Sequence, residues 1–196
     1  MKPVATIDVC RTSHQLLLDS LAPLTDDHFR APSLLPGYSR GHLVTHIANK
    51  ARAHVLVVEG AAAGEVRRAH PDGYDPDQAA AAGADRPAAE LRADLAHSLQ
   101  RLEAAWAALD DAHWDRQGIM IAGPRTMIEI LGHHLRNIEV HHVDLDVGHH
   151  PSDWPSILVE GELPKRLQAL PDRAAHAELL AWLIGRGPAP ELFGPW

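Results

Sequence analysis

The chain has 196 residues, of which 45% are hydrophobic, and its formal net charge of −8 comes from interspersed acidic and basic residues. That balance argues against nucleic acid or an anionic membrane as partner, because both require a basic patch. No leader-like segment opens the chain, and no apolar run approaches the ~20 residues that cross a bilayer. The single cysteine, Cys10, excludes an internal disulfide framework and fits a reducing compartment. We therefore expect a soluble, cytoplasmic protein.

Two long helices are predicted in the first part of the chain. Residues 6–21 carry leucines at broadly helical spacing, and Pro23 stops the pattern. Cys10 lies in this helix, and we interpret it as a small packed residue because no neighbour in sequence would lower its pKa. The second helix covers residues 39–63, with Ser39 as its N-cap.

The middle of the chain is predicted as a long loop followed by a third helix. Residues 64–87 are rich in Asp, Ala, Gly and Pro, so Tyr74 either covers a pocket or lies on a mobile surface loop. Residues 87–109 follow with leucines spaced by three and four, which indicates a core-facing helix. Residues 117–121 are short, apolar and compatible with an extended segment.

The fourth long helix is predicted over residues 124–147, and two short helices follow at residues 162–170 and 174–184. Four apolar-periodic segments of this length predict a mainly α protein, an up-and-down four-helix bundle over residues 1–150. Residues 151–196 are too few for a separate core, so we expect a short C-terminal segment that packs on the bundle.

Histidines are concentrated in the fourth helix, and three polar residues share one of its faces. His134, Asn137 and His141 are spaced by three and four, and Asp144 falls beside Asn137. A metal site needs ligands from a second direction as well, and His46 on the second helix is the obvious source.

The spacing indicates a divalent metal held by His46, His141 and one further group. His134 is the better ligand for zinc, whereas the amide oxygen of Asn137 suits harder cations. Asp144 would accept a hydrogen bond from His141 and orient its ring. The alternative is that a histidine-rich sequence scatters inert imidazoles over its helix surfaces.

Three motifs give the chain a resemblance to a known family. They are LPGYSRGHLVTHIA at residues 35–48, LRNIEVHHVDL at 135–145 and LLAWLIGRG at 179–187. Together they resemble the mycothiol-dependent maleylpyruvate isomerase family, whose N-terminal part is a DinB-like four-helix bundle. The resemblance spans nearly the whole chain, although the C-terminal domain of the family is usually longer and contains strands.

The resemblance implies a zinc site made of one histidine on the second helix and a Glu-x-x-x-His pair on the fourth. The histidines correspond to His46 and His141, and the glutamate corresponds to Asn137, where this sequence departs from the family. His134 could restore a site of three histidines. The functional C-terminal arginine of the family corresponds to Arg186, which would pair with a carboxylate of substrate or cofactor; its alternative role is to compensate a helix dipole.

The function implied is that of an enzyme dependent on zinc, or another divalent metal, and on mycothiol. Its thiol would add to the double bond of a small unsaturated acid, and elimination would return the trans isomer, with Asn137 bonding a metal-bound water or the substrate. One alternative is a mycothiol S-transferase acting on an electrophile. Another is a binding or accessory protein that lost its metal. The implied partners are the small-molecule substrate and the low-molecular-weight thiol.

Overall fold

Four long helices pack side by side in this computed structural model, which describes residues 1–192. They are α1 (Val4–Leu21), α3 (Arg40–Ala63), α5 (Ala88–Ala107) and α6 (Met127–Asp144). Helix α3 packs against α5 and α6, and α1 packs against the same two helices. The predicted mainly α, DinB-like four-helix bundle is confirmed.

The bounds of the second long helix follow from its caps. The hydroxyl of Ser39 accepts a hydrogen bond from the backbone N–H of His42, as predicted for an N-cap. At the other end, Gly64 adopts the left-handed conformation with φ of +77°, which glycine tolerates best. The predicted extent of this helix is confirmed.

The fourth long helix begins later than predicted because a hairpin precedes it. Strands β1 (Gln117–Met120) and β2 (Gly123–Thr126) pair antiparallel across a two-residue turn, and Gly123 opens β2 with φ of +98°. Thr126 then caps α6 by accepting from the backbone N–H of Glu129. The extended segment predicted near residues 117–121 is confirmed, whereas its partner strand was included in the helix.

The segment between α3 and α5 is more ordered than a mobile loop. It contains the short helix α4 (Pro76–Ala81), and the backbone N–H of Ala69 donates to Ile119 of β1 at 2.9 Å. It also lies directly on α3, since a Cβ added to Gly41 would sit 2.2 Å from the carbonyl oxygen of Ala84. The segment is therefore seated against the helix that carries His46. A second short helix, α2 (Asp26–Arg30), connects α1 to α3.

Three buried histidines lie in the apolar core of the bundle. His14, His54 and His134 are 2%, 1% and 0% exposed, among leucines and Trp106. Burial lowers the pKa of His54 from 6.5 to about 3, and the charge of Lys50 adds to the shift. These rings are therefore part of the core rather than of the helix surfaces.

A pH dependence of stability follows from His54. The unfolded chain takes up a proton on this residue below pH 6.5 and the folded chain does so only near pH 3, so stability falls as the pH drops through that window. We expect the free energy of unfolding to be lower at pH 5 than at pH 7 by about 2 kcal/mol from this residue alone. Urea titrations at the two pH values measure the difference, and equal midpoints would contradict it.

A second compact unit begins at Pro155. It contains α7 (Ser156–Ala169), which starts earlier than predicted and continues through Pro164, and α8 (His176–Leu183). Leu179 of α8 is buried, while Trp182 and Leu183 are exposed. The predicted division at residue 150 and the packing of the segment on the bundle stay predictions.

None of the helices within residues 1–192 is long and apolar enough to span a membrane.

Candidate active site on helices α3 and α6

His46 and His141 meet where α3 packs against α6. Their ring centroids are 5.0 Å apart, and the rings are nearly perpendicular. Each histidine is half-buried on a helix that the bundle holds in place. The structure therefore brings together the two residues that the sequence placed at the centre of a site.

Asp144 fixes the orientation and tautomer of His141. A carboxylate oxygen of Asp144 lies 2.9 Å from Nδ1 of His141, one turn earlier on α6. Because an ionised carboxylate only accepts, Nδ1 carries the hydrogen, and the lone pair of the ring is on Nε2. A histidine held this way is suited to bind a metal or to accept a proton.

His46 stays neutral at physiological pH. Burial, together with the charges of His141 and Lys50, lowers its pKa from 6.5 to about 4. Burial also lowers the pKa of Lys50 itself, with Arg136 adding to that shift. The site thus combines the neutral ring of His46 with the nearby basic side chain of Lys50.

Asn137 presents an unsatisfied oxygen one helical turn before His141. Its side-chain Oδ1 is buried and has no hydrogen-bond partner among the described residues. A buried acceptor without a donor is unfavourable by about 1–3 kcal/mol, so such groups commonly face a missing ligand. Asn137 lies one turn from His141 on α6, so its oxygen is a candidate third donor beside the histidine pair.

His134 is not part of this site. Its Nε2 lies 2.8 Å from Nε2 of His14, and its Nδ1 lies 3.3 Å from Nδ1 of His54. The physical reason is the rise of the helix: seven residues separate His134 from His141, which places it about 10 Å deeper along α6. The structure thus gives no support to His134 as the third ligand.

The segment after α3 adds a residue that the sequence reading missed. The ring of His70 stacks on Tyr74 at 3.9 Å, and its Nε2 is buried without a partner among residues 1–192. Burial lowers the pKa of His70, as it does that of His46, and the charge of Lys50 adds to both shifts, so all three belong to one neighbourhood. Only tertiary packing shows that His70 lies near His46. A histidine and a tyrosine within a long loop were nevertheless a signal of function in the sequence.

Cys10 is excluded as a nucleophile. Its side chain is fully buried, and burial raises the pKa of the thiol far above its usual value, with Glu139 and Glu103 adding to the shift. Any reactive sulfur at the site must therefore come from a bound molecule.

The sequence matches the family described as the mycothiol maleylpyruvate isomerase N-terminal domain over residues 10–146. The chain belongs to this family. No curated protein matches the chain.

Two solved structures resemble the chain: the mycothiol-dependent maleylpyruvate isomerase and a histidine-to-alanine mutant of that enzyme. Each is 24% identical with a TM-score of 0.75, and the match covers 80% of this chain and 65% of that chain. The likeness shows a shared fold. The chain spans about two-thirds of the length of these solved relatives.

The donor set at the site is unusual for this family, given the zinc site that the resemblance implies. Within the described part of the chain, no group of three or more His, Cys, Asp and Glu side chains is arranged to hold a metal ion. The available set is His46, His141 and the amide oxygen of Asn137. Two imidazole nitrogens and one amide oxygen are donors that a divalent cation accepts. The set lacks the carboxylate that would strengthen binding.

Arg186, which the resemblance described above assigns to the C-terminal arginine of the family, lies in the second unit, outside residues 10–146. It follows α8, is exposed, and its guanidinium donates to the carbonyl oxygen of Gly185 at 3.2 Å. Its role toward cofactor or substrate stays a prediction.

Proposed function

We propose that this protein is a mycothiol-dependent enzyme that adds the cofactor thiol to the double bond of a small unsaturated acid and returns the trans isomer. The proposed site consists of His46, His141 and Asn137, with a divalent metal, zinc in the first instance, as the bound ion. The observation that carries the proposal is the carboxylate-oriented His141 facing His46 beside the orphaned oxygen of Asn137, in a member of this family.

The three residues would hold the metal in different ways. Asp144 holds the hydrogen of His141 on Nδ1, so the lone pair on Nε2 is free to bind the metal. His46 is neutral because burial lowers its pKa. Asn137 would contribute its carbonyl oxygen. When bound, the metal supplies Lewis acidity that stabilises a thiolate or polarises a carbonyl group.

The remaining groups bind and orient. Lys50 puts positive charge beside His46, which favours a substrate that carries a carboxylate. Mycothiol supplies the nucleophilic sulfur, consistent with the buried and unreactive Cys10. Arg186 is proposed to pair with a carboxylate of substrate or cofactor, as its correspondence to the family arginine implies.

The test is a thiol-dependent assay beside metal analysis of the purified protein. Turnover of maleylpyruvate should require both mycothiol and the metal. The ester of the same acid should react less well, since it lacks the charge that Lys50 attracts. Activity on simple electrophiles alone would favour the S-transferase, and turnover without added thiol would overturn the proposal.

A specific prediction concerns Asn137. Asn137→Glu restores the family carboxylate, so we expect metal affinity to rise at least about tenfold, or ~1.4 kcal/mol. Competition with a chelator of known affinity measures the change. Asn49→Asp is the matched control, because it adds a carboxylate on α3 at an asparagine whose oxygen is already bonded to Arg52. Equal affinities for Asn137→Glu and the unmodified protein would place Asn137 outside the site.

A metal-free binding or accessory protein is the second candidate. It is favoured by the lack, within residues 1–192, of three conventional metal-binding side chains arranged around one point. Purified protein without stoichiometric metal, which still binds mycothiol, would select this candidate.

A further inference from the structure

A continuous chain of hydrogen bonds crosses the core of the bundle. Oε1 of Glu103 lies 2.6 Å from Nδ1 of His14, whose Nε2 is 2.8 Å from Nε2 of His134. Nδ1 of His134 is in turn 3.3 Å from Nδ1 of His54. Helices α5, α1, α6 and α3 contribute one residue each, so the chain uses every long helix of the bundle.

The three histidine rings in this chain of hydrogen bonds are shielded from water, whereas Glu103 at its outer end is partly exposed. His14, His54 and His134 are at most 2% exposed, and Trp106 packs on His14 and His134 with ring centroids 6.1 and 5.3 Å away. The side chain of Glu103 is 29% exposed. The carboxylate therefore connects a dry row of imidazoles to solvent.

The carboxylate sets the direction of every hydrogen bond. Ionised Glu103 only accepts, so His14 carries a hydrogen on Nδ1, and as a neutral imidazole it accepts at Nε2. His134 then carries its hydrogen on Nε2, and His54 carries its hydrogen on Nδ1. Burial lowers the pKa of His54 and His134, which keeps these rings neutral. The inner end of the chain is a lone pair on Nε2 of His54.

The inner end lies toward the candidate active site. His54 follows His46 by two turns on α3, with Lys50 between them. The charges of Lys50 and His70 act on both His46 and His54. The rise of α3 from His46 to His54 is about 12 Å, so the inner end of the row lies on the same helix as the site and is separated from it by the side chain of Lys50.

We propose that Glu103, His14, His134 and His54 form a proton relay between the active-site side of the bundle and its outer surface. The relay rests on the proposed function only for the source of the proton, the S–H bond of the bound thiol. A proton arrives at Nε2 of His54, one N–H bond breaks and one forms on each ring, and Glu103 receives a proton. Each ring stays neutral with its tautomer reversed, and return of the proton when product leaves resets the chain.

The tautomers can be observed without substrate, thiol or metal. NMR of the full-length protein with ¹⁵N-labelled histidine should show the hydrogen on Nδ1 of His14 and His54 and on Nε2 of His134. Free histidine in water favours the Nε2 form, so two buried rings in the other form are a distinctive result. A different pattern would overturn the relay.

Proton movement is measured by exchange of the ring N–H groups with water. Glu103→Gln keeps an acceptor for His14 but cannot take up a proton, so exchange of all three rings should slow about a hundredfold with unchanged tautomers. Glu103→Asp should retain much of the exchange. Glu59→Gln, a surface glutamate paired with Arg101, is the control and should behave as the unmodified protein.

The outcomes separate the relay from the proposed function. Unchanged exchange in Glu103→Gln would overturn the relay even if thiol-dependent turnover is present. Slowed exchange in a protein without any thiol-dependent activity would support the relay and contradict the proposed function. If the relay and the proposed function are both correct, Glu103→Gln should also lower kcat with little change in KM. A purely structural role of Glu103 would not produce that change.

Discussion

Replacing His46 or His141 by alanine is expected to abolish metal binding and to lower thiol-dependent kcat/KM by about 10²–10⁴-fold. The two rings face each other across α3 and α6, and loss of either leaves one imidazole and one amide oxygen, too few to hold a divalent ion. Elemental analysis of the purified variants measures metal content, and initial rates at saturating thiol measure activity.

His97→Ala is the matched control for this prediction, because His97 is an exposed histidine on α5. It should keep both metal and activity. Full metal content in His46→Ala would mean that other residues hold the ion. Asp144→Asn should have a smaller effect, since it loosens the orientation of His141 while leaving the ring in place.

Replacing His134 by alanine is expected to destabilise the protein by about 3–5 kcal/mol. The substitution removes a fully buried ring and leaves His14 and His54 without the nitrogens they contact at 2.8 and 3.3 Å. Metal content, by contrast, should not change, because both nitrogens of His134 already have partners in the core. Chemical denaturation and elemental analysis of the same preparation measure the two effects together.

The opposite result would restore His134 as a ligand. If His134→Ala loses its metal while its stability is close to that of His97→Ala, the ring belongs to the metal site and its hydrogen bonds in the core are incidental. Measuring both properties on one sample prevents metal loss through unfolding from being mistaken for ligand loss.

Helical spacing correctly predicted the pairing of residues within α6, but not their depth. It placed Asp144 beside Asn137, as an acceptor for His141, and Asp144 and His141 are hydrogen-bonded. It also placed His134 and His141 on one face of the helix. The angular position of a residue around a helix axis does not report its distance along that axis. Which helix meets α6 at each depth is set by the packing of the bundle. The partners of His134 therefore lie on α1 and α3, far away in sequence.

The long helices were predictable because their apolar spacing and caps are local. Ser39 and Gly64 bound α3 in the structure as their chemistry suggests. The segment before α5 was not predictable, since its order comes from distant contacts with β1 and with Gly41. The lowered pKa of Lys50 was equally hidden, because its main cause is burial by other elements.

The row of histidines also constrains the order in which the chain can assemble. Its contacts join residues 89, 120 and 80 positions apart, and the two that involve His134 cannot form until α6 docks against the helices that precede it. A three-helix intermediate would leave His14 and His54 facing an unfilled apolar space with unsatisfied nitrogens. Such a state is poorly stabilised, so folding should be cooperative. The core forms only after α6, the last of the four long helices, has been synthesised.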